Sequence, residues 1–381
     1  MDRLTFAIAP YLATEESFTF ANYQFVSLQD LRAYAEGSIL EAATVIAGMY
    51  HNQMNKPIKR ATFIFPLNQT FGEYLGDTSV NEISDMLKVL YLDAFCHLDQ
   101  LNVVTAENFE VIFYDMRPND YSLATRSGSV FPTSNLGGDM KKTSYTAPLH
   151  IIVDRGNFIP SELISPALAH VAKMRTPSLL NALSFFLQSM KNDERITWLS
   201  RTTDLYLAFL MLMKASPDQK ERELWWDNLA AISKPGLPTH HYPILDTRDG
   251  KLKRHKDLSI AQIWGEEFYK LRCKMLHGDQ LHISDFAFSE ISGKNLVPNR
   301  PGHFYLGANV FPALFFYKFR QEYSGYADPP YLVIDNKENF TSQNYTWLGF
   351  DKQNYKLPFY VNDLSLEKAV VKAIKPFHFG S

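Results

Sequence analysis

The chain has 381 residues, of which 46% are hydrophobic and 21% charged, and a formal net charge of −3. Those values exclude a disordered polyelectrolyte and a globally basic nucleic-acid coat, and the length predicts two or three domains with room for sizeable cores. Two cysteines, Cys96 and Cys273, are too few for a disulfide framework and fit a reducing compartment.

In chain order, LTFAI and the FTFANYQFV run read as strands, Leu28 to Met49 as a long helix, and RATFIFPL (60–67) as an apolar strand. Asn81 to Leu98 follows as an amphipathic helix and NFEVIFYD (108–115) as a further strand. Alternation of this kind predicts an α/β layer domain over residues 1–155, closed by a strand at 147–154. No glycine-rich phosphate loop follows any of these strands, so no nucleotide cofactor is expected. Residues 118–146 are rich in Ser, Thr, Gly and Asn and read as a loop or linker. The apolar run after Arg3 is interrupted by Pro10 and reads as a strand rather than a signal peptide. Leu205 to Met213 is too short to span a bilayer, so a cytoplasmic protein is expected.

Residues 156–325 are expected to be mostly helical, with helices at Ser161–Met174, Thr176–Met190, Asp193–Lys214, Pro217–Ile232, 259–280 and 304–323. Pro312 is expected to kink the last of them. The basic patch KLKRHK (251–256) reads as a solvated loop, and residues 326–381 as an extended segment packing back. The fold class expected is therefore α+β: a layer domain, then a helical bundle, then a C-terminal extended segment.

The 259–280 segment carries the chemistry. Ser259 and Gln262 have capping-box spacing, Ile263, Phe268, Leu271 and Met275 recur at helical spacing, and Gly278 suits a left-handed stop. Arg272 and His277 stand five apart at its C-terminal end. Arginine forks onto phosphate oxygens and histidine moves protons near neutral pH. Five residues correspond to about 140° of helix rotation, so the two do not share one face and a second helix must close any joint site. The simplest structural alternative pairs Arg272 with Glu267 or Asp204 and leaves His277 capping the helix end. His277, Asp279, His282 and Asp285 have ligand chemistry but span a helix end and a loop, so no metal site is expected.

FYKLRCKMLHGD resembles the signature helix of the HEPN superfamily, specifically its Apea-like branch. The branch typically reads Tyr-x-x-Arg-Ser-Lys-(Ile/Leu)-(Val/Leu)-His-Gly. Here Tyr269, Arg272, Lys274, Met275, Leu276, His277 and Gly278 stand in the matching places, and Cys273 follows the arginine where members often carry a polar residue. The preceding helix is also similar, with Asp204 where an acidic residue often stands. The resemblance implies an all-α HEPN bundle over 156–325 and a metal-independent ribonuclease acting as a homodimer on RNA, with a role in defence or stress response. It implies Arg272 and His277 as catalytic residues, Lys274 and Tyr269 as substrate-binding, and Asp204 as supporting. A non-catalytic binding or scaffold protein is the alternative.

Overall fold

The computed structural model describes residues 4–96, 105–116, 145–146, 158–160, 165–191, 196–213, 220–232, 242–246, 251–255, 260–278, 281 and 302–323. The chain divides into two compact units, the first comprising Met1–Phe95, Asp99–Thr176 and Met190–Asp193, and the second the remainder. Helices and antiparallel strands make it an α+β protein. No helix among the described residues is long and apolar enough to cross a membrane.

The first unit is built on five strands: β1 (Leu4–Ala9), β2 (Phe18–Phe20), β3 (Tyr23–Ser27), β5 (Thr62–Pro66) and β6 (Ile112–Met116). They lie in the order β2-β3-β5-β1-β6 with every neighbouring pair antiparallel. The two central strands are buried almost throughout, which is why TFIFP reads as an unbroken apolar run and not as an alternation. One face, with Phe6, Ile8, Val26, Phe63 and Phe65, joins Ala43, Ile46 and Ala47 of α1 (Gly37–Gly48) in a single core. Residues at the alternate positions, Ala7, Phe25 and Ile64, are buried on the opposite side. The long helix α2 (Asp77–Phe95) contacts β5 and carries α3 (Ser165–Met174) against it.

Two expectations for this unit change. The long helix expected from Leu28 shortens to α1, because residues 31–33 form a 3-10 turn and Gly37 takes φ +55°, which breaks helical continuity. Asp30 fixes that turn by accepting both the Ser17 amide (3.1 Å) and the Ser17 hydroxyl (2.7 Å). The Ser17 hydroxyl is the main reason the Asp30 carboxyl titrates below its ordinary value. The helix expected to open the bundle, α3, belongs instead with α2 in the first unit, so the division falls near Thr176 and not at 155. Of the 118–146 stretch only β7 (Tyr145–Thr146) is described, pairing in parallel with β4 (Tyr50–His51). The strand expected at 147–154 and the segment 326–381 lie outside the described residues.

The second unit contains α4 (Pro177–Met190, up to Ser189), α5 (Trp198–Met213), α6 (Glu221–Ile232), α7 (Ile260–His277) and α8 (Gly302–Glu322). It is not all-α: β8 (Tyr242–Asp246) and β9 (Lys251–His255) pair as an antiparallel hairpin where a loop was expected. Charge alone made KLKRH look like loop, but it pairs with YPILD, which gives the inward-facing backbone groups of both segments their partners. Helix α8 runs through Pro312. The core is aromatic: Phe209 meets Trp264 (5.1 Å between centroids), Trp264 stacks on Phe268 (4.8 Å) and Phe186 on Phe311 (4.1 Å).

Close helix approach depends on two glycines. A Cβ on Gly265 would fall 2.1 Å from Leu229 Cδ1, and one on Gly307 would fall 2.7 Å from Trp264 and 2.9 Å from Leu205. Trp264 and Leu205 are fully buried and have nowhere to go. Alanine usually stabilises an interior helical glycine by about 1 kcal/mol, but overpacking typically costs about 1–3 kcal/mol. Gly307→Ala is therefore expected to lower the stability of the second unit by about 1–2 kcal/mol. Denaturant melts followed by tryptophan fluorescence check this, since all the tryptophans lie in that unit; an unchanged or raised midpoint contradicts it.

Candidate functional site

Helix α7 ends as its sequence predicts. His277 is its last residue and Gly278 follows at φ +75°, the left-handed conformation that relieves the terminal carbonyls. Its buried stripe is Trp264, Phe268 and Leu271, so Trp264 is the large anchor that the periodic reading had passed over, and Met275 is only half-buried. The opposite stripe is solvent-exposed: Lys270, Lys274 and His277, at spacings of four and three.

Arg272 lies off that stripe. Its Nη2 makes an ion pair with Glu221 Oε2 at 3.0 Å, with about a quarter of each side chain exposed. Glu221 is the first residue of α6, and its other oxygen, Oε1, accepts the Tyr206 hydroxyl from α5. The guanidinium carbon sits 5.4 Å from the centroid of the Tyr206 ring and 5.8 Å from that of the Tyr269 ring, so two aromatic rings neighbour the cation. Its Nη1 approaches Cys273 Sγ at 4.0 Å, and its Nε is buried without a hydrogen-bond partner.

The electrostatics follow from this packing. Burial pulls the Arg272 pKa down, but Tyr206 and Glu221 more than offset it, so the group titrates above its ordinary value and stays charged. Burial first, and then the carboxylate of Glu221, hold the Tyr206 phenol well above the ordinary tyrosine range. Tyr269 is also raised, by partial burial first and then by Cys273 and Glu221. Both phenols are thus neutral donors at physiological pH.

The expected site residues are only partly brought together. Arg272 and Tyr269 are joined, whereas His277 and Lys274 stand apart on the exposed stripe. Asp204 does not pair with Arg272. It has no hydrogen-bond or ion-pair partner among the described residues, and desolvation raises its carboxyl. The reason is angular: Asp204 and Tyr206 are two residues apart, about 200° around α5, and it is Tyr206 that faces the arginine. Glu221 and Tyr206 were not anticipated, because nothing local in the sequence tells which face of α5, or which end of α6, meets α7. Of the weaker ligand cluster, only His277 is among the described residues; Asp279, His282 and Asp285 lie outside them.

Compared with protein-family models, curated proteins and solved structures, the chain gives no match.

Arg272→Ala and Glu221→Ala are each expected to cost about 1–3 kcal/mol, between the values of exposed and buried pairs, because each leaves a partly buried charge alone. His277→Ala should leave the melting temperature unchanged, since its side chain is exposed. Equal losses for His277→Ala and Arg272→Ala would contradict the placement of His277.

Asp204 supplies a pH-dependent check. A carboxyl raised in the folded state costs nothing while it is protonated in both states; the penalty builds as pH rises from the ordinary carboxylate pKa to the raised folded one and is constant above it. Asp204→Asn should therefore raise the melting temperature at pH 7, with the gain shrinking as pH falls through the carboxyl range. A gain independent of pH would contradict it.

Proposed function

We propose that the second unit is an Apea-like HEPN bundle and that the protein is a cytoplasmic, metal-independent endoribonuclease. It acts as a homodimer through Arg272 and His277, with a role in defence or stress response. The observation that carries this reading is the exposed stripe Lys270, Lys274 and His277, ending at the C-terminus of α7. A histidine kept for structure is normally packed and hydrogen-bonded; this one faces solvent beside two lysines, where a polyanion's phosphates find counter-charges.

In the reaction, the ribose 2′-oxygen attacks the adjacent phosphorus while His277 takes its proton. The bond from phosphorus to the 5′-oxygen breaks, and the leaving oxygen receives a proton from a second histidine. The products are a 2′,3′-cyclic phosphate and a 5′-hydroxyl. One phosphorus–oxygen bond forms, one breaks and two protons are transferred with no change of oxidation state, so the step asks for no redox cofactor and histidine supplies the acid and the base. Arg272 stabilises negative charge on the non-bridging oxygens, and Lys274 and Tyr269 help to hold the strand. Because Arg272 is turned away from the His277 stripe, one α7 does not present both groups to one phosphate. The joint site needs the α7 of a second copy.

The ion pair between Arg272 and Glu221 favours a second reading, a non-catalytic HEPN scaffold in which Arg272 ties α7 to α6. The two separate on one experiment. With RNA as substrate and EDTA present, the ribonuclease reading expects cleavage to cyclic-phosphate ends. It expects loss of at least about 100-fold in both His277→Ala and Arg272→Ala, with dimers by light scattering. A monomer, or a folded His277→Ala protein as active as wild type, would end it in favour of the scaffold.

A further inference from the structure

The Arg272 guanidinium is a half-filled fork. In arginine, Nε and Nη2 present two parallel N–H groups, the geometry that grips a carboxylate or phosphate with two oxygens. Here Glu221 reaches only Nη2, with one oxygen at 3.0 Å. Its other oxygen accepts the Tyr206 hydroxyl, and Nε is left buried without a partner. An orphaned N–H on a permanent cation, beside a carboxylate held end-on, is an unfavourable resting arrangement for a pair that serves only to join helices. A phosphodiester has two equivalent non-bridging oxygens and satisfies both donors at once.

The geometry points to Glu221 as an internal anion that occupies the phosphate seat of Arg272, and to an RNA phosphodiester displacing it from the fork. The Tyr206 and Tyr269 rings both lie against the guanidinium, so the cation keeps its place when its partner changes. The Tyr206 hydroxyl gives the displaced carboxylate a partner, which limits how far Glu221 has to move. Glu221 thereby acts as a positioning residue in the resting protein and as an electrostatic gate: until it withdraws, its charge repels the phosphate that Arg272 attracts. This inference rests on the reading that Arg272 meets RNA.

The test measures binding of a fluorescent 2′-O-methyl oligoribonucleotide, which cannot be cleaved through its 2′ position, to the full chain by anisotropy at fixed ionic strength. Glu221→Gln keeps the shape and removes the charge, and is expected to bind roughly ten-fold tighter than wild type. The gain should disappear in Glu221→Gln combined with Arg272→Ala. A merely structural Glu221 would lower the melting temperature without tightening binding. Should Glu221→Gln fold poorly, Glu221→Asp retains the charge but withdraws it by one methylene, and a gain of about three-fold is expected. Unchanged or weaker binding in the folded variant, with Arg272→Ala still weakening it, overturns the gate and leaves the RNA reading standing. Tighter binding that persists without Arg272 also overturns the gate, as a general charge effect. If Arg272→Ala binds as wild type does, both the gate and the RNA reading fall.

Discussion

Everything at the candidate site depends on how closely α6 and α7 approach. Gly265 offers no Cβ, so Leu229 lies where a side chain would otherwise stand. Seven residues further along α7 comes Arg272, about 10 Å on, and eight residues back along α6 comes Glu221, about 12 Å away. The helices run antiparallel, so one close contact sets the register of the other, and the ion pair falls where these distances match. The glycine is thus a positional device: it brings two backbones together and thereby decides which carboxylate Arg272 meets.

That meeting has consequences for charge. A guanidinium packed near two tyrosine rings and about a quarter exposed is partly dehydrated, and its attraction to a carboxylate is stronger there than in open water. The same dehydration makes an unpaired N–H costly, so the pair is held but not fully satisfied. His277, fewer than two turns away, is in a different regime: exposed, at the carbonyl end of the helix, among lysines. One helix therefore presents a shielded cation on one side and a solvent-exposed stripe of Lys270, Lys274 and His277 on another. That division follows from 3.6 residues per turn and not from any special sequence.

The first unit shows a different constraint. Its central strands are buried on both faces, so nearly every residue of TFIFP is apolar, and no polar alternation remains to report strand orientation. Register there is set by pairing, Ala7 opposite both Ile64 and Phe113, and by the helices that cover the faces.

By itself the sequence determined the elements whose cause is local. The periodicity of α2, α5 and α7, the left-handed stop at Gly278 and the apolar strand β5 are all written in short-range pattern, because helix and strand periods and φ at glycine act over a few residues. Arg272 and His277 stood out for the same reason, as residue types at a spacing. Tertiary structure decided what touches them. Asp204 looked like the partner because it lies in the right helix, yet Tyr206 faces α7; Glu221 looked like an ordinary first-turn acid, yet it holds the arginine. The hairpin β8–β9 and the transfer of α3 to the first unit were equally invisible. Each depends on contacts between segments distant in sequence, where helix rotation, interhelical distance and strand pairing choose among partners that composition and spacing leave equivalent.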